Sequence, residues 1–140
     1  MSLTRALSIA VWAHDGQLDK AGAPYILHPL RVMQKFDDPI LREIAVLHDV
    51  VEDCPYWNIE RLFSQRFDPV VVNAIDALSR RAQESYDDYI ARVAKNPLAK
   101  KVKIEDLKDN LHIGRLQMLE RSDRLRLEIK YLKALKILGN

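Results

Sequence analysis

Apolar residues recur along this chain at the three- and four-residue spacing of an α-helix. The two clearest stripes are Ala6, Ile9, Ala10 and Ala13, and then Ile40, Leu41, Ile44 and Leu47. β-prone runs such as residues 26–27 and 70–72 are too short, or too close to a helix start, to predict strands. The pattern therefore predicts an all-α fold, with about seven or eight helices in a single domain over residues 1–140.

Helix boundaries are marked by capping residues next to proline. Asp38-Pro39 and Asp68-Pro69 each place a side-chain acceptor just before a first-turn proline, and Asn96-Pro97 ends one helix and opens the next. The last helix is expected to be capped by Asp123 and closed by Gly139, with a break before it at Gly114. The segment DGQLDKAGAPYILHP, residues 15–29, has the glycine and proline content of a loop.

Composition narrows the class of protein. The chain has 140 residues, 48% of them hydrophobic and 30% charged, and a net charge of +2 without a basic block, which does not favour nucleic acid as a partner. Its apolar runs are far shorter than the roughly 20 residues of a membrane span. Its single cysteine, Cys54, excludes an internal disulfide and fits a reducing compartment, and the N-terminal residues do not resemble a signal peptide. These features predict a cytoplasmic protein without a membrane partner.

The stretch HDVVEDC, residues 48–54, places four ionisable side chains directly after the apolar run IAVL. Burying such groups unpaired costs several kcal/mol each. In a continuous helix, His48 would stack on Glu52 and Asp49 on Asp53, four residues apart. Adjacent His48 and Asp49 can converge on one metal ion, but a divalent ion needs four to six ligands. His14 and Asp106, both among apolar residues, are the candidates for the missing ligands.

Two histidines and two aspartates suit Mn²⁺, Fe²⁺ or Zn²⁺ better than a metal that prefers thiolates. Such an ion lowers the pKa of a bound water and polarises a phosphoryl oxygen, and Glu52 and Asp53 could then move the proton. Spacing alone also allows a simpler interpretation, in which the His-Asp pair is only solvated or hydrogen-bonded. The wide apolar stripe of the last helix likewise indicates core packing, with a homodimer face as the alternative.

Three segments, AHDGQLDKAGAPYILHPLRV, LHDVVEDC and VKIEDLKDNL, together resemble the RelA/SpoT-type HD hydrolase domain, a group that includes stand-alone small alarmone hydrolases. The resemblance implies a helical HD domain that binds one Mn²⁺ and removes the 3′-pyrophosphate of the guanosine tetra- and pentaphosphates (ppGpp, pppGpp) of the stringent response, giving GDP or GTP and pyrophosphate. The metal ligands it implies are His14, His48, Asp49 and Asp106. It assigns the catalytic acidic pair to Glu52 and Asp53.

The same resemblance places Tyr25 and His28 along the site and Asn110 at the nucleotide. A polyanionic substrate also calls for cations, so the expected substrate-binding residues are Lys20, Tyr25, His28, Lys103 and Asn110. Relatives usually have Arg-Lys where this chain has Asp19-Lys20, and an aspartate there repels phosphate. Two alternatives therefore stay open: an HD phosphohydrolase of another phosphorylated nucleotide, such as the NADPH 2′-phosphate or an adenosine alarmone, and a non-catalytic nucleotide sensor.

Overall fold

Helices make up the fold, as predicted, in the computed structural model, which describes residues 2–112 and 119–139. They are α1 (Ser2–Ala13), α2 (Leu27–Met33), α3 (Pro39–Leu47), α4 (Val50–Asp53), α5 (Ile59–Ser64), α6 (Pro69–Leu78), α7 (Tyr86–Ala94), α8 (Pro97–Asn110) and α9 (Arg121–Ile137). Within the described ranges there is no strand, and the β contact found there is an isolated bridge between Leu18 and Pro24. The all-α prediction is confirmed.

Short polar side chains start several helices at the predicted positions. The Asp38 carboxylate accepts hydrogen bonds from the backbone N–H groups of Ile40 and Leu41, and Asp68 caps α6 in the same way. Asn96 caps α8, the longest helix before residue 113. In all three cases proline occupies the first turn, where its missing N–H costs no helical hydrogen bond. These helix starts can be predicted from sequence because each capping hydrogen bond joins residues only two or three positions apart.

The last helix departs from the prediction at its start. It begins at Arg121, after Glu120, whose side chain makes no capping hydrogen bond, so the prediction that Asp123 caps it is wrong. Asp123 instead lies in the first turn, where its negative charge still interacts favourably with the helix dipole. Gly139 closes the helix as predicted, with φ +82° and its N–H bonded to the Lys136 carbonyl. The predicted break at Gly114 lies outside the described residues.

Helix α3 is the centre of the core. Residues 44–47 are fully buried, and α3 packs against α1, α2, α6 and α8. The second half of α3 is apolar on every side, which is typical of an interior position, and burying each large side chain contributes about 1.5–3 kcal/mol. The packing brings the carboxyl end of α3, where His48 follows, against α8. None of the helices in the two described ranges is both long and apolar enough to cross a bilayer.

Candidate metal centre

The chain turns at the His-Asp pair instead of continuing as a helix. Helix α3 ends at Leu47, His48 and Asp49 form a turn, and α4 begins at Val50. The sequence-based expectation of one continuous helix through residues 48–53 is therefore wrong. Asp49 has φ −103° and ψ −3°, in the sparsely populated region between helix and strand. This turn brings His48 Nε2 to 3.1 Å from Asp49 Oδ2.

Four side chains converge at this turn. His28, His48, Asp49 and Asp106 each offer one ligand atom, and these atoms all lie within 4.8 Å of one another. Asp106 Oδ1 lies 2.7 Å from His28 Nε2 and 3.2 Å from His48 Nε2. Three separate parts of the chain supply the group: the start of α2, the turn after α3, and α8.

The structure brings together three of the four predicted ligands, with His28 in the group in place of His14. His14 is buried just after α1, where its Nδ1 lies 2.8 Å from Gln17 Oε1 and its ring centre lies 5.0 Å from that of Tyr25, with the two planes tilted by 47°. Both histidines flank the same loop, and spacing cannot tell which ring turns towards Asp49. A signal for His28 does exist, since it shares the buried face of α2 with Val32, four residues later.

Hydrogen bonds from outside the group hold its members in place. His48 Nδ1 lies 2.5 Å from the Ala45 carbonyl oxygen, so it donates its proton there and leaves Nε2 for the group. The Tyr25 hydroxyl donates to Asp49 Oδ2, and Lys103 Nζ donates to Asp106 Oδ2 at 2.8 Å. Ligand atoms held this way are typical of metal sites, where outer contacts fix the tautomer and orientation of each ligand.

The charges within the group stabilise one another against the cost of burial. Burial opposes ionisation of Asp106, but the adjacent Lys103 and then His48 hold the pKa of its carboxyl well below the usual range. Burial likewise opposes the charge of His48, yet Asp49 and Asp106 raise its pKa well above its ordinary value. A metal ion binds the unprotonated Nε2 of a histidine, so a raised pKa of His48 would make metal affinity depend on pH.

The predicted acidic pair lies on α4, at the edge of the group. Glu52 accepts a hydrogen bond from the backbone N–H of Arg80. Partial burial, followed by the negative charges of Asp49 and Glu52, raises the pKa of Asp53 to about 7. A carboxyl group with this pKa takes up and releases protons near neutral pH, as a general acid–base must. Its position beside the group fits that chemistry.

A cavity of about 260 Å³ opens beside the group. Three of the five predicted substrate-binding residues line it, namely Lys20, Tyr25 and Asn110. The other two contact the metal group directly: His28 belongs to it, and Lys103 pairs with Asp106. The predicted residues therefore occupy two adjoining regions, a cavity and the polar group beside it, bridged by Tyr25.

Asp19 also lines the cavity, and the structure gives it a second role. Its Oδ1 accepts hydrogen bonds from the backbone N–H groups of Ala21, at 2.9 Å, and Ala23, at 3.0 Å. This bonding braces the tight loop that turns at Gly22, where φ is +86°. A longer basic side chain offers no acceptor for those N–H groups, so the loop itself is built around an aspartate at this position.

Three residues that were not predicted from the sequence also contribute to the site. Asp109 contacts His28, Arg31 contacts Asp109, and Gln17 joins His14 to the Asp53 carbonyl oxygen. A signal was present for the first, since Asp109 follows Asp106 by one turn and shares its side of α8. Its partner on α2 lies 81 residues earlier and could not be read from spacing.

The donor set fits a divalent transition metal. It comprises two imidazole nitrogens and two carboxylate oxygens, and Cys54 is not among the group. Ligands of this kind suit Mn²⁺, Fe²⁺ or Zn²⁺. Four such atoms converge from two helices and a turn, and the outer nitrogens of both histidines are hydrogen-bonded. This observation is independent of any relative.

Comparison with known proteins finds relatives that match more than half of the chain. The chain is 39% identical over 88 residues to the bifunctional (p)ppGpp synthase/hydrolase SpoT of Escherichia coli K12, which covers 56% of this chain and 12% of that protein. It is 31% identical over 119 residues to the guanosine-3′,5′-bis(diphosphate) 3′-pyrophosphohydrolase of Aquifex aeolicus, covering 78% of this chain and 17% of the relative. A GTP pyrophosphokinase of Streptomyces coelicolor is 28% identical over 135 residues, or 87% of this chain and 16% of the relative.

No protein-family model matches the chain. The chain spans only a small part of each of these much longer relatives. The relatives nevertheless belong to the family that the three segments of the sequence resemble. The chain is a relative of the RelA/SpoT-type HD hydrolase domain.

Proposed function

We propose that this chain is a metal-dependent pyrophosphohydrolase that removes the 3′-pyrophosphate of guanosine tetra- or pentaphosphate. The observation that carries the proposal is the convergence of His28, His48, Asp49 and Asp106 beside an acidic pair and a cavity. The activities for which two relatives are named, (p)ppGpp synthase/hydrolase and 3′-pyrophosphohydrolase, support the choice of substrate.

The proposed ligands are the four members of that group, with His14 beside them as a neighbour of Tyr25. A divalent ion held there would polarise a phosphoryl oxygen and lower the pKa of a water molecule. Mn²⁺ is the proposed ion, with Zn²⁺ and Fe²⁺ as the alternatives that the donor set allows.

The acidic pair would carry the proton transfers. In the proposed reaction water attacks the phosphorus next to the ribose 3′ oxygen, and the bond between that oxygen and phosphorus breaks. Asp53, whose pKa is raised to about 7, can take a proton from the water. Glu52, whose carboxylate is fixed by the Arg80 N–H, lies next to it and can share that proton until the leaving 3′ oxygen receives it. The products are GDP or GTP and pyrophosphate.

The remaining predicted residues would bind the nucleotide. Lys20 lines the cavity and supplies a positive charge for phosphate, while Asn110 offers an amide to the base or sugar. Tyr25 lines the same cavity and donates to Asp49, so it couples the bound nucleotide to the metal group. Lys103 neutralises Asp106 and so reduces the repulsion between the site and a polyanion.

Product release from a small nucleotide panel tests this proposal. The purified chain is incubated with guanosine tetraphosphate, its adenosine counterpart and NADPH, each with Mn²⁺ and with a chelator. Pyrophosphate from the guanosine tetraphosphate, only in the presence of metal, is the expected result. The proposal fails if metal is bound and this nucleotide is not cleaved. In that case nucleotide binding without turnover would favour a sensor.

A second candidate, a phosphohydrolase of another phosphorylated nucleotide, is favoured by one observation. Asp19 places a carboxylate at the cavity where phosphate would otherwise bind. Asp19→Asn is the appropriate test, because the amide oxygen can still accept the hydrogen bonds from Ala21 and Ala23 while the charge is removed. If Asp19 selects the substrate, the ratio of kcat/KM values across the panel shifts towards the more highly charged nucleotides. An unchanged ratio assigns Asp19 to the loop alone.

A further inference from the structure

Asp109 joins the candidate metal centre to a surface arginine. Its Oδ2 lies 2.6 Å from His28 Nδ1, the ring nitrogen opposite the one that faces the metal group. Arg31 donates to the same carboxylate twice, from Nε to Oδ1 at 2.8 Å and from Nη2 to Oδ2 at 3.1 Å. The Asp109 side chain is only 9% exposed, whereas Arg31 is 40% exposed.

From this geometry we infer that Asp109 is a positioning residue, which turns His28 towards the metal through a carboxylate–histidine contact and is itself held by Arg31. The inference rests on the proposed metal-dependent function. It concerns a contact that lies outside the four ligand side chains and outside the acidic pair.

The chemistry of imidazole explains why the contact matters. A neutral histidine carries one proton and one lone pair on its two ring nitrogens, and it binds metal through the lone pair. An ionised carboxylate accepts a hydrogen bond and cannot donate one, so when a metal takes the lone pair of Nε2, Asp109 accepts the hydrogen that remains on Nδ1. Nε2 of His28 lies 2.7 Å from Asp106 Oδ1 and 3.8 Å from Asp49 Oδ2, so two of the proposed ligands already flank the nitrogen that would bind the metal.

The Arg31 clamp makes the carboxylate a fixed acceptor. Two parallel N–H···O bonds from a guanidinium define both the position and the plane of a carboxylate. Arg31 and His28 are three residues apart on α2, so one helix supplies both the ligand and the clamp. Asp109 and Asp106 are likewise three residues apart on α8. The contacts that Asp109 makes with Arg31 and His28 therefore join α2 to α8, the two helices that carry the proposed ligands His28 and Asp106.

The outer ring nitrogen of His48 is also hydrogen-bonded, but to a different kind of partner. Its Nδ1 contacts the Ala45 carbonyl oxygen, within its own helical turn. His28 lies in the first turn of α2, and its Nδ1 partner comes from α8 instead. Each histidine of the group thus has its outer nitrogen bonded away from the group.

A simpler role for Asp109 is to tie α2 to α8 as an ion pair, and metal affinity separates the two roles. The variants are Asp109→Asn and Asp109→Ala, with Arg31→Gln, which removes the ion pair but leaves the contact between His28 and Asp109. Glu105→Gln is the matched control, because it removes one carboxylate from the same helix, where Glu105 pairs with Lys108 instead. Folding of each metal-free variant is checked by circular dichroism and thermal melting.

Affinity for Mn²⁺ is measured on the whole chain by calorimetry and by competition with a chelator. A positioning role predicts affinity about 10–100-fold weaker in Asp109→Asn, with a smaller loss in Arg31→Gln and none in Glu105→Gln. Nitrogen chemical shifts of the Zn²⁺-loaded protein should show hydrogen on Nδ1 of His28 in the wild type, and a changed signal in Asp109→Asn. Asparagine has nearly the same shape as aspartate. Asp109→Asn can therefore still be measured if Asp109→Ala does not fold.

The outcomes separate the two proposals. If the wild type binds neither Mn²⁺ nor Zn²⁺, the metal-dependent function fails and the role of Asp109 fails with it. If the wild type binds metal and both Asp109→Asn and Asp109→Ala bind it equally well, the function stands and only the positioning role is overturned. Equal losses of melting temperature in Asp109→Asn and Arg31→Gln, without a change in affinity, would assign Asp109 to helix packing.

Discussion

Replacing Lys103 by methionine is expected to destabilise the metal-free protein and to make it more responsive to metal. Lys103 Nζ lies 2.8 Å from Asp106 Oδ2, and the two side chains are only 12% and 4% exposed. Methionine keeps most of the length and the apolar packing of lysine, so the main loss is the positive charge. The variant leaves Asp106 buried without the lysine that pairs with it.

Removing one partner of a buried ion pair typically costs about 3–5 kcal/mol. Asp106 Oδ1 still contacts His28 and His48, which favours the lower end, about 3 kcal/mol. For a domain of this size that corresponds to a melting temperature lower by roughly 10 °C. A divalent ion bound by Asp106 would replace the missing charge, so the difference from wild type should become smaller at saturating Mn²⁺.

The assay is thermal unfolding of wild type and Lys103→Met, each with a chelator and with excess Mn²⁺. Lys101→Met is the control, since Lys101 lies on the same helix and is exposed. The reasoning is refuted if the metal-free variant melts with the wild type, because Asp106 would then not need this cation. It is refuted equally if metal leaves the gap between the two proteins unchanged, because Asp106 would then not be a metal ligand.

Three further changes test proton transfer and the pH dependence of stability. Asp53→Asn should lower kcat for pyrophosphate release about 10²–10⁴-fold while calorimetry shows unchanged Mn²⁺ affinity, and an unchanged kcat would exclude the proton-transfer role. The hydrogen bond from Arg92 lowers the pKa of Glu84 from 4.5 to about 2, so this pair stabilises the fold above pH 4.5 and the benefit is lost as pH falls towards 2. Denaturant unfolding should therefore show Glu84→Gln less stable than wild type at pH 7 and equal to it near pH 2, and a constant gap would contradict this. Burial, then the charge of Asp68, raises the pKa of Glu43, so its ionisation above pH 4.5 costs stability, and Glu43→Gln should melt higher than wild type at pH 7 but not at pH 4.

The parts of the fold that the sequence predicted depend on nearby residues. Asp38 caps α3 and Asn96 caps α8 through backbone groups two or three positions away, so the signal and its partner lie within one short segment. The membership of Asp106 in the metal group was also predictable, because a carboxylate among apolar residues needs a compensating partner. Neither inference required knowledge of how the helices pack.

The choice between His14 and His28 depends on packing across the chain. His28 joins the group because α2 lies against α8, which brings Asp106 and Asp109 to its two ring nitrogens across 78 and 81 residues. His14 lies on the other side of the same loop and bonds to Gln17. Periodicity describes one helix at a time, so it could not decide which histidine would face the partner helix.

The turn at His48 and Asp49 explains how neighbouring residues can share one metal ion. In a regular helix, adjacent side chains point about 100° apart, and their ends diverge. Here the helix stops at Leu47, and the ends of the two side chains approach to 3.1 Å. Residues 44–47 are fully buried, so the core holds the last turn of α3 in place directly before the His-Asp pair. The apolar run before the His-Asp pair thus supports the site, because it anchors the turn that brings the two side chains together. In a continuous helix the same two side chains would point apart.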